Sequence, residues 1–125
     1  MTRNCRDFWL RQTIKVALSL IVVGWASSGH AEPGKCFLRV EGRTYLNTIC
    51  NIEINSSDGS FSIGAGENVR SKYFAMVNVG PVNGRGMGYW NGRTAEAHAH
   101  ESLGLLIRHG ACWSNERARI CAWRR

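Results

Sequence analysis

The segment Ala95-Glu96-Ala97-His98-Ala99-His100-Glu101 concentrates side chains that can bind a metal. In an extended backbone alternate residues share a face, so Glu96, His98 and His100 would project together, away from Ala97 and Ala99. Two imidazoles and a carboxylate aimed from one face supply three ligands suited to zinc or copper. His109, beyond the apolar run Leu103–Ile107, is the candidate fourth ligand. A helical backbone would instead bring Glu96 beside His100. The preceding Asn91-Gly92-Arg93-Thr94 reads as loop, and the competing expectation is therefore a polar loop whose histidines hydrogen-bond locally.

Acid–base chemistry of the kind used by small secreted ribonucleases would need His98 or His100 to meet His109 and an arginine. No serine or mature cysteine stands in a recognisable nucleophile motif. A non-enzymatic protein is the expectation.

The compartment is written in the amino terminus. Arg3, Arg6, Arg11 and Lys15 precede an apolar run from Val16 to Ala26, broken only by Ser19 and Gly24, and Gly29 and Ala31 put small residues before a cut. This is the layout of a secretory signal peptide, residues 1–31. The apolar run is about half of the roughly 20 residues that span a bilayer, so no transmembrane segment is expected after cleavage. A periplasmic or secreted domain, residues 32–125, would remain. It carries 12 Lys and Arg against 8 Asp and Glu, and only two of those cations are lysines. An arginine surplus suits anionic partners, although nucleic acid would demand a denser basic patch and is not expected.

Cys36, Cys50, Cys112 and Cys121 remain in the mature chain, an even number in an oxidising compartment. Four cysteines allow three pairings. A hairpin turning at Glu116-Arg117 would set Cys112 opposite Cys121, within disulfide reach, which leaves Cys36 to pair with Cys50. The spacings lack the tight knuckles of zinc sites.

The elements that must position these residues read as strands. Phe37–Val40 and Arg43–Leu46 flank Glu41-Gly42, and Ile52–Ile54 and Phe61–Ile63 flank Ser57-Asp58-Gly59. Tyr73–Val79 is the longest candidate. Met87–Trp90 follows a glycine-rich stretch, Gly84–Gly88, whose glycines read as hairpin residues, and Leu103, Leu105 and Ile107 alternate. Short, evenly spaced strands without a helix predict an all-β fold, a small antiparallel barrel or sandwich of about eight strands stapled by two disulfides.

Tyr89-Trp90, Trp113 and Trp123 stand among arginines in the chain, a composition suited to recognising protein or glycan. The frame Cys112-Trp113…Ile120-Cys121-Ala122-Trp123, with His-x-His and Gly-Tyr-Trp-Asn-Gly, resembles small exported bacterial β-proteins of unknown function. A second stretch resembles the periplasmic or membrane-bound inhibitors of C-type lysozyme. Ser62-Ile63-Gly64-Ala65-Gly66 leads to Ser71-Lys72-Tyr73 and then to Tyr89-Trp90-Asn91-Gly92. Glu67–Arg70 interrupts that pattern, and Asn91 stands where it has Lys. The resemblance implies a compact disulfide-bonded β-barrel in which Ser71 and Lys72 reach toward carboxylates of the enzyme.

Two functions are therefore expected. The first is a non-enzymatic binding protein of the bacterial cell envelope, inhibiting a wall-degrading enzyme such as lysozyme, with Ser71, Lys72, Tyr73, Trp90 and Trp123 at its surface. The second is a small periplasmic zinc- or copper-binding protein using Glu96, His98, His100 and His109.

Overall fold

The structure, a computed structural model, describes residues 29–124. The charged and apolar parts of the expected signal peptide lie outside the described residues. Eight antiparallel strands close into a barrel: β1 (Gly29–Val40), β2 (Arg43–Asn55), β3 (Phe61–Ile63), β4 (Ala75–Val79), β5 (Arg85–Trp90), β6 (Glu101–His109), β7 (Cys112–Ser114) and β8 (Ala118–Arg124). Each strand pairs with the next in sequence, and β8 returns to β1. Of the two expected architectures the barrel is the one formed. No helix among the described residues is long and apolar enough to cross a membrane.

Local chemistry starts the closure. Glu41 and Gly42 both take positive φ, 52° and 79°, the backbone of the tight turn that matches strand twist. Period two then sends Cys36, Leu38 and Val40 inward from β1, Ala75 and Val77 from β4, and Ala118 and Ile120 from β8, all buried. They pack with Ile52, Ile63, Leu106, Trp90 and Trp113 into one core. A fully buried aliphatic side chain contributes about 1.5–3 kcal/mol, so this inner layer is the main source of stability.

Both disulfides form as expected, Cys36–Cys50 and Cys112–Cys121. Cys112 faces Cys121 across the β7–β8 hairpin, and Trp113 faces Ile120. In the other pair Cys50 faces Gly34 and Cys36 faces Thr48, so that bridge runs diagonally across the ladder.

Three strand expectations are corrected. The longest strands are β1 and β2, with 12 and 13 residues, whereas β4 begins only at Ala75 because Tyr73 and Phe74 belong to the loop before it. Leu103, Leu105 and Ile107 do not share a face. Gly104 takes φ +85° and shifts the register, so Leu103 and Leu106 are buried while Leu105 and Ile107 are about half exposed. Of the glycines between 84 and 88, only Gly84 lies in the turn. Gly86 and Gly88 are buried within β5, and a Cβ on Gly88 would stand 2.5 Å from Leu106 Cδ1.

Two long loops rise at one end of the barrel, residues 64–74 and 91–100. β3 covers β2 only at Ile52–Ile54, and the first loop continues along that edge, Asn51 N–H donating to Val69 O at 3.1 Å.

Candidate functional site

The loop end of the barrel carries a groove made of two adjoining cavities. Both are bordered by Arg93 and Glu101. One, of about 470 Å³, opens over the barrel mouth between Arg43, Tyr45, Trp90 and Arg117. The other, of about 460 Å³, lies against the loop that holds Glu96, His98 and His100.

Buried asparagines fix the loops. Asn91 is 2 % exposed; its side-chain amide donates to Lys72 O at 3.0 Å and Glu96 O at 3.1 Å, and its Oδ1 accepts from Phe74 N–H at 3.0 Å. One side chain thereby joins the two loops. Asn51 does similar service lower down, donating to Ala65 O at 2.7 Å. Both satisfy backbone groups that would otherwise be buried without partners.

The floor is aromatic. Tyr45 meets Trp90 edge-on at 4.7 Å between ring centroids and Tyr73 at 4.9 Å, and the Tyr73 hydroxyl donates to Arg93 O at 3.1 Å. The Arg43 guanidinium lies 5.6 Å from the centroid of Tyr45, and Lys72 Nζ lies 5.5 Å from that of Tyr73. Trp90 donates its indole N–H to Glu101. Arg117 spans the mouth: Nε donates to Glu41 at 2.6 Å, Nη1 to Ser102 O at 2.7 Å, and Nη2 stands 4.0 Å from Glu101. Arg43 and Arg93 enter no ion pair among the described residues.

Lys72, Tyr73 and Trp90, three of the five expected surface residues, therefore come to this end of the barrel, with Ser71 next to them in the same loop. Trp123, the penultimate residue of β8, borders a cavity at the opposite end. Trp90 is itself buried and can offer only the edge of the floor.

The metal set is not assembled. Residues 96–100 form neither strand nor helix, so the period-two argument does not apply to them. His98 and His100 stack with centroids 5.3 Å apart and planes inclined by 16°. His109 sits at the far end of the nine-residue β6, roughly 25 Å of strand from Glu101. Among the described residues no three His, Cys, Asp or Glu side chains are grouped to hold a metal. The same separation removes His109 from any acid–base pairing with His98 or His100.

Arg43, Tyr45, Asn91, Arg93, Glu101 and Arg117 are the site residues that sequence reasoning did not assign. Asn91-Gly92 signalled a turn but not a buried asparagine, and Arg117 was visible only as the tip of a hairpin. Compared with known proteins, the chain matches no family model, no curated protein and no solved structure.

Proposed function

We propose that the protein is an exported, non-enzymatic binding domain that holds an anionic glycan of the bacterial cell envelope in the groove at its loop end. The observation that carries this reading is the pairing of the half-buried Tyr45 ring, backed by the buried Trp90, with two guanidiniums, Arg43 and Arg93, that no carboxylate of the described residues neutralises. Aromatic rings accept the apolar faces of sugars, and guanidinium presents a planar fork of donors to carboxylates. Two disulfides are compatible with an extracytoplasmic location, and the signal-like amino terminus supports a periplasmic or secreted one.

Co-sedimentation with purified insoluble peptidoglycan tests the proposal. Saturable binding is expected, weakened at least tenfold by Arg43→Gln with Arg93→Gln and unchanged by Trp123→Ala. Binding indifferent to the two arginines, or no binding, would refute it.

A second reading, inhibition of a wall-degrading enzyme, draws on Lys72, Tyr73 and Trp90 sharing that end with Ser71 beside them. Lysozyme assayed on a soluble chitooligosaccharide separates the two, since masking of the wall cannot then imitate inhibition. Inhibition at micromolar protein, lost in Ser71→Ala with Lys72→Ala, would favour the second reading. An arginine-rich rim opposes docking on a cationic enzyme, because like charges slow encounter.

A further inference from the structure

The opposite mouth of the barrel has a different chemistry. A cavity of about 510 Å³ opens there between the end of β2, the start of β3, the β6–β7 turn and the end of β8. Its walls are Ile54, Phe61, Trp113, Ala122 and Trp123. Trp113 is buried and packs near Phe61 at 6.3 Å, and Ile54, Phe61 and Ala122 are half-buried against the core, whereas Trp123 lies on the outer face of β8 and borders the cavity only at its edge. Half-buried apolar side chains around a cavity leave hydrophobic area in water that a ligand would cover.

The rim of this cavity is cationic. Arg108 and Arg124 line it, and no carboxylate does. Arg124 is neutralised by Glu32, with Nε and Nη2 each 3.0 Å from Oε1. Arg108 is not: its guanidinium lies 5.9 Å from the Trp113 ring centroid and Nε donates to Gly110 O at 3.0 Å, with no ion pair among the described residues. A cation held over an aromatic wall, at the lip of an apolar cavity without an acid, complements a small molecule that joins an apolar body to one negative charge.

We infer that this mouth binds a small carboxylic acid with an apolar chain, the chain lying against Ile54, Phe61 and Trp113 and the carboxylate meeting Arg108. The site is independent of the groove at the loop end.

Decanoate is the probe, titrated into the full chain by calorimetry, with 2-bromodecanoate as a quencher of tryptophan fluorescence. One saturable site is expected, with decanol and decyltrimethylammonium each bound at least tenfold more weakly than decanoate. Arg108→Gln should weaken decanoate about tenfold and leave decanol unchanged, and Trp113→Phe should remove most of the quenching. Uniform affinity for the three decyl compounds would overturn the inference, since the charge would then play no part. Absence of saturation below the micelle concentration, or binding only in the presence of phosphatidylglycerol vesicles, would overturn it as well. The three-ligand comparison is made on the unsubstituted protein and holds even if a variant does not fold.

Discussion

Asn91 satisfies three backbone groups with one buried side chain: the N–H of Phe74 and the carbonyls of Lys72 and Glu96. Truncation would strand all three away from water, each at about 1–3 kcal/mol. Asn91→Ala is thus expected to destabilise the domain by about 3 kcal/mol, read from urea unfolding. Hydrogen exchange at Phe74 should rise at the same time. Unchanged protection there would mean that the loops do not depend on this side chain. Glu101 poses the opposite case, because it is both acceptor for Trp90 and the acid facing Arg117. Glu101→Gln keeps an acceptor for the indole but removes the negative charge, leaving Arg117 freer for ligand. If the groove takes an anionic glycan, this variant should bind peptidoglycan a few-fold more tightly in co-sedimentation, and Glu101→Lys more tightly still. Weaker binding by Glu101→Gln would show that the carboxylate itself contacts the ligand.

At the scale of elements, the sequence was most legible where backbone and pattern agree. Glu-Gly and Asp-Gly turns between alternating runs announced the β1–β2 and β2–β3 hairpins respectively, and Cys112 opposite Cys121 followed from counting back from one turn. Legibility failed where one residue changes the register. The pattern Leu103, Leu105, Ile107 has perfect period two, yet the left-handed Gly104 inserts a bulge that no neighbouring residue announces. Asn115 secures it from the β7–β8 turn, its amide donating to Leu103 O at 2.8 Å and Leu105 O at 3.0 Å. The groove was less legible for the same reason: its walls come from β2, the β3–β4 loop, the β5–β6 loop and the β7–β8 turn, which only closure of the barrel brings together. The bulge yields a test. An L-residue in the left-handed region costs about 1–2 kcal/mol, and Gly104→Ala should lower unfolding stability by about that amount. A cost near zero would show that the backbone relaxes to a regular ladder. In that event Leu105 would turn inward, and its amide and methyl resonances would report it.

Over the whole molecule, the two disulfides are placed differently although both close short loops. Their sequence separations are 14 and 9, so chain entropy alone makes each contribute about 3 kcal/mol, with a difference between them of only about 0.4 kcal/mol. Packing separates them. Cys36 and Cys50 belong to the central core, on the same inward-facing positions as Leu38 and Ile52. Cys112 and Cys121 are buried too but lie on the other face of β7 and β8 from Trp113 and Ile120, outside the central core, with Arg119 Nη2 3.5 Å from Cys112 Sγ. Removing both sulfurs from the core leaves a cavity as well as a longer unfolded chain, and the cavity adds to the loss. The Cys36→Ala, Cys50→Ala variant should therefore lose about 1–3 kcal/mol more than the Cys112→Ala, Cys121→Ala variant. Against a total stability of about 5–15 kcal/mol for such a domain, the second variant should stay folded at 25 °C, and loss of both bridges should bring the chain close to unfolding. Urea midpoints of the three proteins, with near-ultraviolet circular dichroism to register tertiary packing, give the comparison directly. Equal losses for the two variants would mean that the core refills the space left by Cys36 and Cys50, and that the bridges act through the unfolded chain alone.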